Sequence, residues 1–315
     1  MDFKLSDEMH AIRETAREFA EKEVAPFADK WDEDHYFPTD VIKKMGELGF
    51  FGTLIPEEYE GNGMGFLAGT IITEEIARAS ASLRVTLNMQ AFGPALSILR
   101  YGNEDQKKKY IPKLVSAEMI GCFAITEPNA GSDVMSMKTT AIPKGDHFLV
   151  NGAKTWISNA QVADVCTLYA YHDPAAKSKG LSTFILDLHL PGITTRPLEK
   201  LGLHSAPTGE IILEDVKVPK EALLGQLGEG VKHVFGSLNQ TRLSCAAGAL
   251  GIAQACLDAS VKYCNERSQF GQQIGHFQMN QDMIAIMATE LEAARLLVYR
   301  SAVQKDEGNL NNVLE

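Results

Sequence analysis

At 315 residues, with 45% hydrophobic and 23% charged side chains and 12 prolines, the chain has room for two or three packed units and a globular composition, which excludes a disordered, collagen-like or coiled-coil protein. Thirty basic against 41 acidic residues give a net charge of −11 and a pI near 5.3. That balance excludes nucleic acid or an anionic membrane surface as the main partner, and any anionic ligand needs a local basic site.

The opening Met-Asp-Phe-Lys-Leu-Ser has neither the order of a signal peptide nor the Arg-rich character of a transit peptide, so a cytoplasmic location is expected. From Ser6 to about Ala25 the sequence predicts an amphipathic helix: Ser6 caps it, Asp7 and Glu8 complement its dipole, and Ile12, Ala16, Phe19 and Val24 form an apolar stripe. Residues 38–49, 68–82, 86–101 and 104–116 continue with a helical period, so 1–120 read as a helical N-terminal domain.

The texture changes at Gly121. Short β-like runs follow, and Asn151-Gly152 predicts the turn of a hairpin over Phe148–Ile157. Val165–Tyr171, Ser182–Leu186 and Glu210–Val218 carry the series on with no long helix between them, which predicts an antiparallel β domain over 121–230. Helical periods return over 231–267 and 278–307, the second with Glu290, Glu292 and Arg295 on a charged face. These form a C-terminal helical domain over 231–315. Its last residues read as an interhelix loop opening a further helix, so the bundle is expected to be incomplete at Glu315. The fold class is α+β multidomain: helical, antiparallel β, then a helical bundle.

The longest uncharged runs, Val85–Leu99 and Leu243–Leu257, fall short of the roughly 18 apolar residues of a membrane span, and no transmembrane helix is expected. Five cysteines without a Cys-x-x-Cys pair read as reduced, buried side chains rather than a disulfide framework or metal site.

Two segments carry chemistry. In Ala124-Ile-Thr-Glu-Pro-Asn-Ala-Gly-Ser-Asp133, Gly131 permits close backbone approach, and Thr126 and Ser132 donate without bulk to a polar ring or phosphate. The same loop reads equally as a structural turn, with Glu127 and Asp133 capping backbone donors. In Lys154-Thr-Trp-Ile-Ser-Asn159, strand alternation puts Trp156 and Ser158 on one face, where the indole either stacks on a ring or sits in the core.

Together these segments resemble the acyl-CoA dehydrogenase family, and the resemblance runs on through Phe235-Gly-Ser-Leu-Asn-Gln-Thr-Arg-Leu243, Tyr263-Cys-Asn-Glu-Arg-Ser-Gln-Phe-Gly271 and Phe277-Gln278. It implies an FAD-dependent enzyme that removes hydrogens from the α and β carbons of an acyl-CoA thioester and passes electrons to electron transfer flavoprotein, as a homotetramer. It also implies that Phe123, Ile125, Thr126 and Ser132 line the flavin ring, with Trp156 and Ser158 across it. Phe123 lacks the hydroxyl that many members have there. In the family the adenosine pyrophosphate of FAD reaches a neighbouring subunit, and Arg267, Phe270 and Gln278 match the positions that hold it, while Ser132, Asn239 and Arg242 match contacts to CoA. Arg242 reads equally as an interhelix ion-pair partner, and Arg267 taken alone as a solvated charge.

Within the family the match is nearest to glutaryl-CoA dehydrogenases. Arg84 takes the place where they bind the distal carboxylate, against the reading of a boundary arginine paired with Glu74, Glu75 or solvent. Ala77 stands where decarboxylating members carry Glu, which points to the non-decarboxylating branch. No catalytic residue is named: the usual base is expected beyond Glu315, and its other family position is Thr241, which is no base. Cyclic acyl-CoA substrates, oxidase or monooxygenase activity, and a non-catalytic flavin- or CoA-binding scaffold are the alternatives.

Overall fold

The computed structural model describes residues 4–310. Ser6 Oγ accepts from Met9 N at 3.2 Å, capping α1 (Asp7–Phe19), which runs on through a π-helical turn at Ala20–Val24. Ala16, Phe19, Ala20 and Val24 are its buried side chains, close to the expected stripe. Next come α2 (Ala28–Glu33), α3 (Thr39–Glu47) and α4 (Gly65–Ala79). The single helix expected over 86–101 is two, α5 (Ala81–Phe92) and α6 (Pro94–Tyr101). Pro94 cannot donate to the preceding turn, and a Cβ on Gly93 would stand 2.2 Å from Met89 O, so the chain breaks there. A capping box between Asn103 and Gln106 opens α7 (Glu104–Val115).

The middle of the chain is a sheet of β1 (Gly121–Ala124), β2 (Thr140–Lys144), β3 (His147–Ser158), β4 (Val165–Tyr171), β5 (Leu181–Asp187), β6 (Ile193–Pro197), β7 (Thr208–Pro219) and β8 (Leu223–Leu224). Its order is β6-β7-β3-β2-β4-β5-β8, with β1 also on β4. The pairs are antiparallel except β1–β4 and β2–β4.

The expected hairpin turn at Asn151-Gly152 is a correction, because both residues lie inside β3. The turn is Gly145-Asp146, where Lys144 pairs with His147 and Gly145 takes φ 64°, the conformation a II′ turn asks of its first central residue. Gly152 instead marks a bulge against β7, and a Cβ on it would lie 2.4 Å from Thr139 Oγ1.

Then follow α8 (Gly230–Glu266), the two-residue strands β9 (Ser268–Gln269) and β10 (Gln272–Gln273), and α9 (Gln278–Asp306). By length and composition α8 does reach what a membrane crossing needs, with a mean hydropathy of 1.3 over its best window. Counting uncharged runs missed this, since such a window tolerates isolated charges. The loop expected near the chain's end starts at Glu307, and 311–315 lie outside the described residues. Of the five thiols, Cys122 and Cys166 are buried as expected, whereas Cys245 and Cys256 are exposed.

By internal contacts the chain forms two units, one of residues 1–29, 65–84 and 242–315, the other of 30–64 and 85–241. In the first, α4 packs on α1 and α9. Its adjacent acids Glu74 and Glu75 are both buried, and each is met by arginine: Arg17 holds Glu75 at 2.8 Å, while Arg295 and the Tyr299 hydroxyl hold Glu74 at 2.9 and 2.7 Å. Arg295, on the charged face expected of it, reaches both Glu292 on that face and the buried Glu74. In the second unit one core joins Ile55, Ile98, Ile111, Leu114, Val165, Ile185 and Leu224, and another joins Ile125, Met137, Tyr169, Leu181 and Val234.

Candidate active site

Gln90 starts the site. Buried on α5, it accepts from Gly121 N at 3.0 Å and donates to the carbonyls of Leu114 and Met119, so it fixes the point where β1 begins. Asn159 at the end of β3 donates to Gly121 O at 3.2 Å and tethers the same strand. Neither had a role in the sequence reading. A buried amide is recognisable only once its backbone partners are known.

Beyond β1 the chain turns through the loop with Thr126 and Ser132. Glu127, 7% exposed, accepts from Lys138 N and Thr139 N at 2.6 and 2.9 Å, which is the backbone-capping use expected of an acid in this loop. It also accepts from Lys154 Nζ at 2.8 Å, and Lys154, 0% exposed, donates in addition to Ile125 O at 3.0 Å. Burial alone would raise the Glu127 pKa, but the Lys154 charge and these hydrogen bonds hold it below the ordinary carboxylate value. Burial lowers the Lys154 pKa, and Glu127 opposes the shift.

One residue along β3, Thr155 N donates to Thr126 O at 2.9 Å. Trp156 then takes φ 60° where the β3–β7 register breaks between Lys154 and Ile157, and it is 60% exposed although its neighbours Thr155 and Ile157 are buried. An indole turned out of the sheet at a strained residue is a stacking face, not a core aromatic. Ser158 is half-buried on the same alternation. Phe123 is half-buried and meets Tyr169 edge-on at 5.2 Å, Thr126 is half-buried and Ser132 is exposed. Ile125 departs from the simple reading, since its side chain belongs to the core with Met137 and Tyr169 and its carbonyl accepts from Lys154 Nζ. The structure thus brings Phe123, Ile125, Thr126, Trp156 and Ser158 together by way of Lys154 and Thr155. Asn239 is half-buried on α8, where the Thr241 hydroxyl donates to Leu238 O at 3.1 Å.

The other unit carries a second group. Arg267 precedes β9, its carbonyl accepts from Ile274 N at 2.8 Å, and the turn between the strands raises Phe270 at φ 53° to 93% exposure, edge-on to Phe277 at 6.2 Å. Gln278 follows as the first residue of α9. An exposed ring beside a guanidinium and an amide fits an adenine with phosphates, as Trp156 with the Thr126 and Ser158 hydroxyls fits a flavin ring.

Arg84 is half-buried on α5, with its Nε shielded from solvent and without a hydrogen-bond partner. Glu74 and Glu75, the partners it would have as a plain boundary arginine, are engaged by Arg295, Tyr299 and Arg17. Gly248 of α8 leaves it room. Arg242 is exposed, and Ala77 is buried where a Cβ on Gly251 would come within 2.7 Å of its methyl.

Comparison with known proteins gives three consecutive family matches: the acyl-CoA dehydrogenase N-terminal domain over residues 6–118, the middle domain over 122–216 and the C-terminal domain over 228–314. A glutaryl-CoA dehydrogenase of Desulfococcus multivorans is 61% identical over 319 residues, covering 100% of this chain and 82% of that protein. The structure of a glutaryl-coenzyme A dehydrogenase in complex with glutaryl-CoA superposes with a TM-score of 0.97 at 61% identity, over 99% of this chain and 80% of that one. A structure solved for the electron transferring flavoprotein of Acidaminococcus fermentans matches with a TM-score of 0.96 at 42% identity, over 98% and 81%.

Proposed function

This chain belongs to the acyl-CoA dehydrogenase family of FAD-dependent oxidoreductases, and we propose that within it the substrate is glutaryl-CoA. The observation that carries the reading is Arg84: a shielded guanidinium nitrogen without a partner, beside acids already taken, in a chain 61% identical to a glutaryl-CoA dehydrogenase. A substrate carboxylate answers that missing partner.

Bound FAD supplies the acceptor for the hydride leaving the β-carbon. Thr126 would donate to the ring, Phe123 and Ile125 would line it, and Trp156 with Ser158 would cover its other side. Ser132 stands between the ring and the CoA arm. Arg267, Phe270 and Gln278 would hold the adenosine pyrophosphate of an FAD reaching over from a neighbouring subunit, and Asn239 and Arg242 would meet CoA. Arg84 would hold the distal carboxylate and so fix the far end of the acyl chain. Ala77 in place of an acid favours oxidation without loss of carbon dioxide. An electron transfer flavoprotein takes the electrons, a reading supported by the match to a structure solved for such a flavoprotein, and the enzyme works as a homotetramer, as the family resemblance implies.

Anaerobic mixing of the full-length holoprotein with glutaryl-, butyryl- and cyclohexenoyl-CoA tests the substrate. Fast bleaching of the flavin by glutaryl-CoA is expected. Faster bleaching by either of the other esters overturns the glutaryl assignment.

A further inference from the structure

Consecutive residues of β3 grip consecutive carbonyls of the loop after β1: Lys154 Nζ on Ile125 O at 3.0 Å and Thr155 N on Thr126 O at 2.9 Å. We propose that Lys154 is a positioning residue that sets the peptide between Ile125 and Thr126 against the flavin ring and raises the cofactor's reduction potential through that peptide. The inference rests on the placement of the ring between Thr126 and Trp156 given above.

An ion pair buried this deeply adds little net stability over an apolar pair of the same shape, because desolvation offsets most of the attraction. Its geometry does something an apolar pair cannot. An ammonium on the Ile125 carbonyl polarises the amide and strengthens the N–H of Thr126 on the other side of the same peptide plane as a donor. Glu127 offsets part of the ammonium's charge, but Lys154 Nζ is the group that donates directly to the Ile125 carbonyl. Reduction places electron density on the flavin, and a fixed, polarised donor in a shielded site stabilises it at no cost of reorganisation. The pair also ties the loop to the strand that carries Trp156, so the two sides of the ring site cannot move independently. Met137 Sδ, at 3.7 Å from Lys154 Nζ, closes the remaining side with a soft, weakly accepting atom.

The test uses the full-chain holoprotein and compares Lys154→Met, Lys154→Arg and the double variant Lys154→Met with Glu127→Gln, which removes both charges and leaves no unpaired acid. Flavin potential by dye equilibration, FAD dissociation by fluorescence and thermal midpoint are read for each. In the Met and double variants the two-electron reduction equilibrium should fall about tenfold, a shift of about 30 mV to more negative potential, and FAD should dissociate about tenfold more readily. Arginine should restore most of the potential. FAD-loaded Met and double variants with the wild-type potential would overturn the proposal, even if their thermal midpoints fell, and so would failure of both to fold, which would make the pair a folding element. Trp156→Ala tests the underlying placement separately: unchanged FAD affinity there removes the ring from this site, whatever Lys154 does.

Discussion

A Cβ placed on Gly248 would lie 2.6 Å from Arg84 Nε and 2.7 Å from its Cδ, so the bare backbone of α8 at this point is what allows the arginine to lie against it. Arg84→Ala should weaken glutaryl-CoA turnover by about 2–5 kcal/mol in kcat/KM, the range for truncating one member of a shielded charge pair, and spare butyryl-CoA. Parallel losses for both esters would make Arg84 structural.

Gly248→Ala follows from the same contact. The added methyl meets the middle of the arginine side chain, not its mobile tip, so the guanidinium must move as a whole. We expect KM for glutaryl-CoA to rise at least tenfold with kcat for butyryl-CoA within twofold of wild type, read by steady-state kinetics with both esters.

The start of α4 depends on the other end of its unit. Asp306, the last residue of α9, accepts from Phe66 N and Leu67 N at 2.6 and 3.1 Å and serves as the cap that α4 would otherwise draw from its own preceding residue. Gly65 stands there with φ 90°, where a Cβ would sit 2.5 Å from Asp306 Oδ1. Asp306→Ala should cost about 1–2 kcal/mol of stability, measured by urea unfolding, and Asp306→Asn about half of that.

What the sequence made legible follows from the range of the forces involved. Helices with a period and a local cap were readable, as at Ser6, because both signals lie within one turn. Asn151-Gly152 misled for the opposite reason. The dipeptide suits a turn, but pairing of β3 with both β2 and β7 runs a strand through it, and the nearby Gly145-Asp146 supplies the turn at no such loss of pairing. Within the site, Trp156 and Thr126 were legible through motif resemblance. Gln90 and Lys154 were not assigned roles, since their partners are backbone carbonyls and amides from segments about 24–31 residues away. The pairing of Arg295 with Glu74 was not legible either, because the acid comes from another helix far along the chain.

Removing that partner should be costly. Arg295 Nε holds Glu74 at 2.9 Å while its Nη2 donates to Gln254 at 2.7 Å, and Glu74 itself is 6% exposed. Arg295→Met leaves the carboxylate with Tyr299 alone, and we expect a loss near the lower end of the 3–5 kcal/mol typical of an uncompensated buried charge, or about 3 kcal/mol. The double variant Arg295→Met with Glu74→Gln should recover more than half of it in the same denaturation series. Equal stability of the single and double variants would show that Tyr299 suffices.

His233 gives the protein a defined acid limit. The imidazole is 1% exposed, stacked on Tyr101 at 3.8 Å between centroids, with Nδ1 at 3.0 Å from Thr183 Oγ1 and Nε2 without a hydrogen-bond partner. Burial pushes its pKa down to about 4; Glu229, at 3.8 Å, opposes the shift and Lys232 adds to it. Because the folded pKa lies below the unfolded value near 6.5, the unfolded chain takes up the proton first as pH falls. The stability is therefore fully present above pH 6.5 and is lost as pH drops toward 4, by up to about 3 kcal/mol. Other carboxylates titrate at the lower end of this window, so the informative quantity is the difference between wild type and His233→Gln in urea unfolding at pH 7.5, 6.5, 5.5 and 4.5. Wild type should start more stable and lose that advantage steadily below pH 6.5. A difference that stays constant across the series would mean that the buried ring accepts its proton as readily as a solvated one, and that Glu229 balances burial.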